Sequence, residues 1–124
     1  MNYYSLNNIA PNTTFETAVI KGLAPDKGLY FPENITALDP SFFDTIETLS
    51  NEEIAYEAIK QFISSEIPEG VLKTIVSETL NFDFPVVKLT DSISTLELFH
   101  GPTMAFKDVG ARFMARCLGY FNKN

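Results

Sequence analysis

Cysteine, histidine, glycine and positive charge are all scarce in this chain, and each shortage removes a class of function. One residue of 124 is cysteine, Cys117, so no internal disulfide can form and the chain fits a reducing compartment. The single histidine, His100, cannot build a His-pair metal site or complete most serine-histidine machinery within these residues. The six glycines are scattered, and neither a dinucleotide fingerprint nor a Walker-type phosphate loop is present. Lys and Arg together number 9 against 16 Asp and Glu, a formal net charge of -7 that repels nucleic acid and anionic membrane alike. No apolar run nears the ~20 residues of a membrane span, and the first residues lack the basic-then-apolar order of a signal peptide. A soluble, cytoplasmic protein with no nucleic-acid or membrane partner is the expectation.

What is present is enough apolar material for a core. Hydrophobic residues make up 45% of the chain and eleven are phenylalanine, which argues against extended disorder. The length suits one modest domain, or a small domain plus the beginning of another. Met1 to Leu6 has the texture of a short strand. Thr13-Thr14-Phe15-Glu16 is a capping-box pattern opening a helix of about two turns that Gly22 closes. Asp26-Lys27-Gly28 forms a turn before a short extended piece, Leu29 to Phe31, and Pro40 begins a brief helix ending near Leu49. Ser50-Asn51-Glu52-Glu53 is a second capping box, followed at helical spacing by Ile54, Ala55, Ala58, Ile59, Phe62 and Ile63. Pro68 opens the next helix, whose apolar face is Val71, Leu72, Ile75, Val76 and Leu80; the two helices should pack as an antiparallel pair. After Asn81 the texture changes to β-rich runs, Val86 to Leu89 and Thr95 to Phe99, around a polar turn.

The best chemical candidate is Lys107, which follows the turn-forming run His100-Gly101-Pro102-Thr103-Met104-Ala105-Phe106 at the mouth of an apolar helix. With a helix running from Ala105 or Phe106 to about Phe121, Lys107 heads a row continued by Ala111, Met114 and Leu118. Asp108, Arg112 and Arg116 form one polar stripe, along which the arginines are expected to pair with Asp108. A helix this apolar elsewhere belongs inside a larger structure. A cation at a helix amino end is disfavoured by roughly 0.3 to 1 kcal/mol. Partial burial there would favour the neutral, reactive amine over the ammonium. Lysines are nonetheless mostly solvated and inert. His100 is expected to be a hydrogen-bond partner within the loop, Asp108 an acid that the first helical turn favours on dipole grounds, and Cys117 a buried apolar residue. Glu47, Glu52, Glu53 and Glu57 have the pattern of a solvated helix face, with no cysteine or histidine nearby to make a metal site. Phe113, Met114, Cys117 and Phe121 are expected to expose apolar surface through which the chain self-associates.

The segment Leu96-Glu97-Leu98-Phe99-His100-Gly101-Pro102-Thr103-Met104-Ala105-Phe106-Lys107-Asp108-Val109-Gly110-Ala111-Arg112 closely resembles the cofactor-lysine segment of threonine synthases. Independently, Gly22-Leu23-Ala24-Pro25-Asp26-Lys27-Gly28-Leu29-Tyr30-Phe31-Pro32 resembles the amino-terminal signature of the same enzymes, and Tyr3-Tyr4-Ser5 their opening strand. Lys27 stands where the family more often has glycine, and Met104 where leucine is commoner. The resemblance covers the whole chain, more weakly between Asn34 and Phe84. It implies an α/β fold, seen as α+β in a piece of this length. Residues 1–83 would form a small, mainly helical amino-terminal domain, and residues 84–124 the first strands and lysine-bearing helix of a pyridoxal-phosphate domain. It further implies that Lys107 is both catalytic and cofactor-binding, holding pyridoxal phosphate as a Schiff base, with Phe106 a packing neighbour of the ring by adjacency. The substrate it implies is O-phospho-L-homoserine, a small molecule converted with water to threonine and phosphate. The phosphate-binding glycine loop of that family has no counterpart here, so the chain is expected to be an amino-terminal piece without activity of its own. Two alternatives stay open: a related phospholyase acting on another phosphorylated amino compound, and a cofactor-free structural or interaction domain.

Overall fold

A computed structural model describes residues 1–63 and 65–123. Strands and helices mix along the chain: β1 Tyr3–Ser5, α1 Phe15–Lys21, β2 Tyr30–Pro32, α2 Pro40–Thr45 continued by a 3₁₀ turn Ile46–Thr48, α3 Asn51–Ile63, α4 Glu69–Thr79, β3 Val86–Lys88, β4 Ser94–Leu96 and α5 Asp108–Phe121. β1 and β2 pair antiparallel with Tyr3 opposite Pro32 and Ser5 opposite Tyr30. β3 and β4 form a separate antiparallel hairpin with Val86 opposite Leu96.

Local chemistry sets most of the helix boundaries. Ser50 and Glu53 close a reciprocal box at the start of α3: the Ser50 amide donates to the Glu53 carboxylate at 2.8 Å, and the Glu53 amide donates to Ser50 Oγ at 3.2 Å. α1 departs from the expected box. Its cap is Thr14, which accepts from the Thr17 amide, and the amides of Phe15 and Glu16 donate to the carboxylate of distant Glu66 at 3.1 and 2.9 Å. Gly22 ends α1 with φ +69 and its amide bonded to Ala18 O, the left-handed closure that glycine allows. Pro68 caps α4 from just outside its first turn.

The amino-terminal signature is organised around one carboxylate. Asp26 accepts from Ser5 Oγ at 2.6 Å and from the amides of Gly28, Ala10 and Ile9. The Ser5 hydroxyl first, and then these amides against an opposing desolvation, hold its carboxyl down to about 2. A Cβ on Gly28 would collide with Ser5 Oγ and come within 2.9 Å of the Asn7 amide, so only glycine fits there. Lys27 takes the left-handed conformation, φ +67, so the turn keeps its strained geometry without glycine.

The core gathers Ile63, Ile67, Leu72, Ile75, Val76, Cys117 and Phe121, with Phe15, Val19, Ile59 and Phe113 packed against it. Burying each large side chain contributes about 1.5–3 kcal/mol. α4 contacts both α3 and α5, and α1 closes over α5, so the last helix belongs to the same core as the helices before it. Val109, Phe113, Cys117 and Phe121, four residues apart in turn, make the seam of α5. This corrects the expected apolar surface: Cys117 and Phe121 are buried and Phe113 partly so, leaving Met114 exposed. The exposed apolar residues lie mainly elsewhere, with Val86, Leu89, Ile93 and Leu96 on the hairpin and Phe99, Met104 and Phe106 after it. Among the described residues, no helix is long and apolar enough to cross a membrane.

The arginine stripe is also rearranged. Arg112 donates to Glu78 O at 2.6 Å and Asn81 Oδ1 at 2.7 Å, and Arg116 pairs with the Glu78 carboxylate at 2.8 Å. Neither is hydrogen-bonded to Asp108. The carbonyl end of α4 attracts them, since its last carbonyls lack helical partners and carry partial negative charge.

Candidate active site

Lys107 is reached from the hairpin through a compact loop. Glu97 N donates to Pro85 O as β4 ends, and His100 Nε2 lies 2.7 Å from Glu97 Oε2, its ring stacked on Phe99 at 4.7 Å between centroids. His100 therefore works within the loop, as its sequence position suggested, and no hydrogen bond joins it to Lys107 among the described residues. Gly101 is buried and accepts the Met104 amide at 3.0 Å, with Met104 at φ +55. Ala105 O then accepts the Asp108 amide, and Lys107 O accepts the Ala111 amide as the helix begins.

Asp108 differs from the simple first-turn acid that the sequence suggested. It is 4% exposed, and its carboxylate turns backwards to accept the Thr103 amide at 3.0 Å and the Thr103 hydroxyl at 2.8 Å. Burial opposes its ionisation, but the Thr103 hydroxyl and amide, a backbone contact from Ala105 and the Arg112 charge outweigh burial and hold the carboxyl below the usual range. Gly101 lies flush against it: a Cβ there would clash with the carboxylate, with two further Asp108 atoms at 2.9 Å. Sequence reasoning missed Thr103 and Gly101 as its partners, because a five-residue spacing matches no capping pattern.

Lys107 precedes the first helical residue with φ -70 and ψ -13 and gives no side-chain cap. Its amine makes no hydrogen bond or ion pair among the described residues, a state it shares with Lys21, Lys27 and Lys123, whereas Lys60, Lys73 and Lys88 are each paired with a carboxylate. The expected burial is not met within these residues, since Lys107 and Phe106 are both exposed. The Ala111-Met114 side of the helix turns outward with them, while the opposite seam fills the core. Cys117 is enclosed, and burial pushes its thiol up to about 11, which leaves it an inert packing residue. No cluster of three metal-ligating side chains exists among the described residues. An open apolar groove of about 310 Å³ runs between α3, α4 and α5, lined by Ala58, Ile59, Leu80, Val109 and Phe113, one turn beyond Lys107.

A family model described as "Threonine synthase N terminus" matches residues 2–80. The chain belongs to the threonine synthase family. It is 40% identical over 124 residues to the threonine synthase of Buchnera aphidicola subsp. Schizaphis graminum, covering 99% of this chain and 29% of that protein. Against the Serratia marcescens threonine synthase it is 38% identical over 118 residues, covering 95% and 28%. The crystal structure of the Escherichia coli threonine synthase superposes with a TM-score of 0.92 at 34% identity, over 98% of this chain and 28% of that one. A PLP-bound threonine synthase from Brucella melitensis superposes with a TM-score of 0.93 at 34% identity, over 99% and 28%. The chain thus spans less than a third of the threonine synthases it matches.

An accessible amine, unpaired among the described residues and presented by a defined loop, is chemically of the kind that would hold pyridoxal phosphate. The glycines packed closely against neighbours, Gly28 and Gly101, lie against carboxylate-centred turns and not in a phosphate cradle.

Proposed function

We propose that this chain is the lysine-bearing amino-terminal part of a threonine synthase, which converts O-phospho-L-homoserine and water to L-threonine and phosphate. The observation that carries this reading is the placement of Lys107 at the head of α5 by a hydrogen-bonded loop, its amine exposed and, among the described residues, unpaired. Pyridoxal phosphate, when bound, would supply an electron sink for carbanions at the substrate's amine-bearing carbon and at the carbon beside it. Lys107 would hold the cofactor through its amine and, when that amine is free, would move protons at the substrate's α and β carbons.

The extent of the family-model match, residues 2–80, supports a division of labour along the chain. Residues 1–83 act as the amino-terminal domain and residues 84–124 open the cofactor domain, the change coming where paired helices give way to the β3–β4 hairpin. α5 then returns to the helical core, so the two parts share one packed interface. The isolated 124 residues are inactive on this reading. Borohydride reduction of the full-length enzyme in the presence of pyridoxal phosphate, followed by peptide mass spectrometry, tests it. The adduct is expected on Lys107, with turnover lost in Lys107→Ala. An adduct on another side chain, or an active Lys107→Ala enzyme, sinks the assignment.

A further inference from the structure

We infer that Asp108 is a positioning residue for Lys107, its buried carboxylate closing residues 103–108 into a ring from which the lysine side chain emerges. The inference rests on the functional reading of Lys107 and adds a role for its neighbour.

An acid in a first helical turn ordinarily sits in solvent and serves the helix, by facing the partial positive charge or accepting one of its free amides. Asp108 does otherwise. Its side chain is buried and reaches back to Thr103, taking both the amide and the hydroxyl, while the residue before it offers the helix no side-chain cap. Two charge-assisted bonds from one residue fix that residue's orientation as well as its distance. The Ala105 carbonyl and the Asp108 amide brace the ring internally, and the Ala111 amide on Lys107 O ties it to the helix. Lys107 is the last residue inside the ring, so both Thr103 bonds restrain its backbone. Gly101 packs directly against Asp108, and a side chain at 101 would collide with the carboxylate. Met104, inside the ring at φ +55, completes the case: a left-handed backbone at a residue with a side chain persists where its surroundings over-determine it.

A reacting amine displaced by about an ångström loses on the order of 100-fold in rate, which is the scale of effect expected from opening the ring. The test begins with the full-length enzyme, in which borohydride trapping with pyridoxal phosphate must place the adduct on Lys107. Asp108→Asn keeps the shape but removes the charge that strengthens both bonds and leaves one acceptor oxygen where the two Thr103 donors had one each. It is expected to lower kcat on the order of 100-fold with KM within about twofold, and to change the visible circular dichroism of the bound cofactor. Thr103→Val, at an exposed position, should shift both readouts the same way, and Thr103→Ser, which keeps both donors, should recover most of that loss. The double variant Asp108→Asn with Thr103→Val should be no worse than Asp108→Asn alone. If Asp108→Asn fails to fold, the Thr103 pair decides. Wild-type kcat and dichroism in these variants with the adduct still on Lys107, or losses that multiply in the double variant, overturn the inference alone. An adduct on another side chain overturns the functional reading and this inference with it.

Discussion

Tyr3→Phe is expected to alter how stability varies with pH more than its size at neutrality. Tyr3 is 8% exposed, its ring lies 6.0 Å from that of Phe15, and its hydroxyl donates to the Phe62 carbonyl at 2.7 Å, tying β1 to the end of α3. Burial first, and then the Glu66 charge, push its phenol from 10.0 to about 12. Below pH 10 both the folded and unfolded chains keep the proton. Between pH 10 and about 12 the unfolded chain releases it while the folded chain does not, so stability is full below that window and falls as pH rises through it. Two units at 1.36 kcal/mol each set the loss at no more than about 2–3 kcal/mol. Phenylalanine has no such proton. At pH 8 the variant should be less stable by about 1 kcal/mol, the typical net worth of the missing hydrogen bond, and its deficit should shrink above pH 10, vanish near about pH 11 and reverse in sign towards pH 12. Urea unfolding of both proteins by circular dichroism across pH 8 to 12 measures this. Stability curves that stay parallel over the whole range refute the reasoning. Glu66→Gln, which removes the neighbouring charge, should move the Tyr3 titration downwards in difference absorbance.

Lys27→Gly should stabilise the protein by about 1 kcal/mol, since a left-handed L residue costs about 1–2 kcal/mol and glycine gives back part of this as chain entropy; a lower urea midpoint would contradict it. The isolated chain should self-associate through the hairpin, whose Val86 is 69% and Leu96 55% exposed. Sedimentation should show mass rising with concentration, suppressed by Val86→Lys with Leu96→Lys, and a clean monomer at high concentration would count against it.

Elements governed by neighbours in sequence are legible in the residues alone. The Ser50–Glu53 box, the Gly22 closure of α1, the break at Pro68 and the apolar faces of α3 and α4 all depend on contacts three or four residues apart, so composition and spacing carry them. The β3–β4 hairpin showed itself through β-rich runs around a polar turn. α1 was legible as a helix but not in its capping, because Glu66 supplies the acceptor from 50 residues away. Arg112 and Arg116 likewise fall on one stripe, yet their partners lie more than thirty residues back, Glu78 at the end of α4 and Asn81 just beyond it.

The site divides along the same line. Sequence alone singled out Lys107, its loop and the family to which its motifs point, because those are properties of contiguous residues. Tertiary structure decided which face of α5 is buried, left the lysine side outward, and turned Asp108 from a helix-end acid into the clasp of the Thr103 loop. Periodicity can mark an apolar face, but which of several such faces is covered depends on what else folds against it, and a carboxylate takes whichever donors the fold brings within reach.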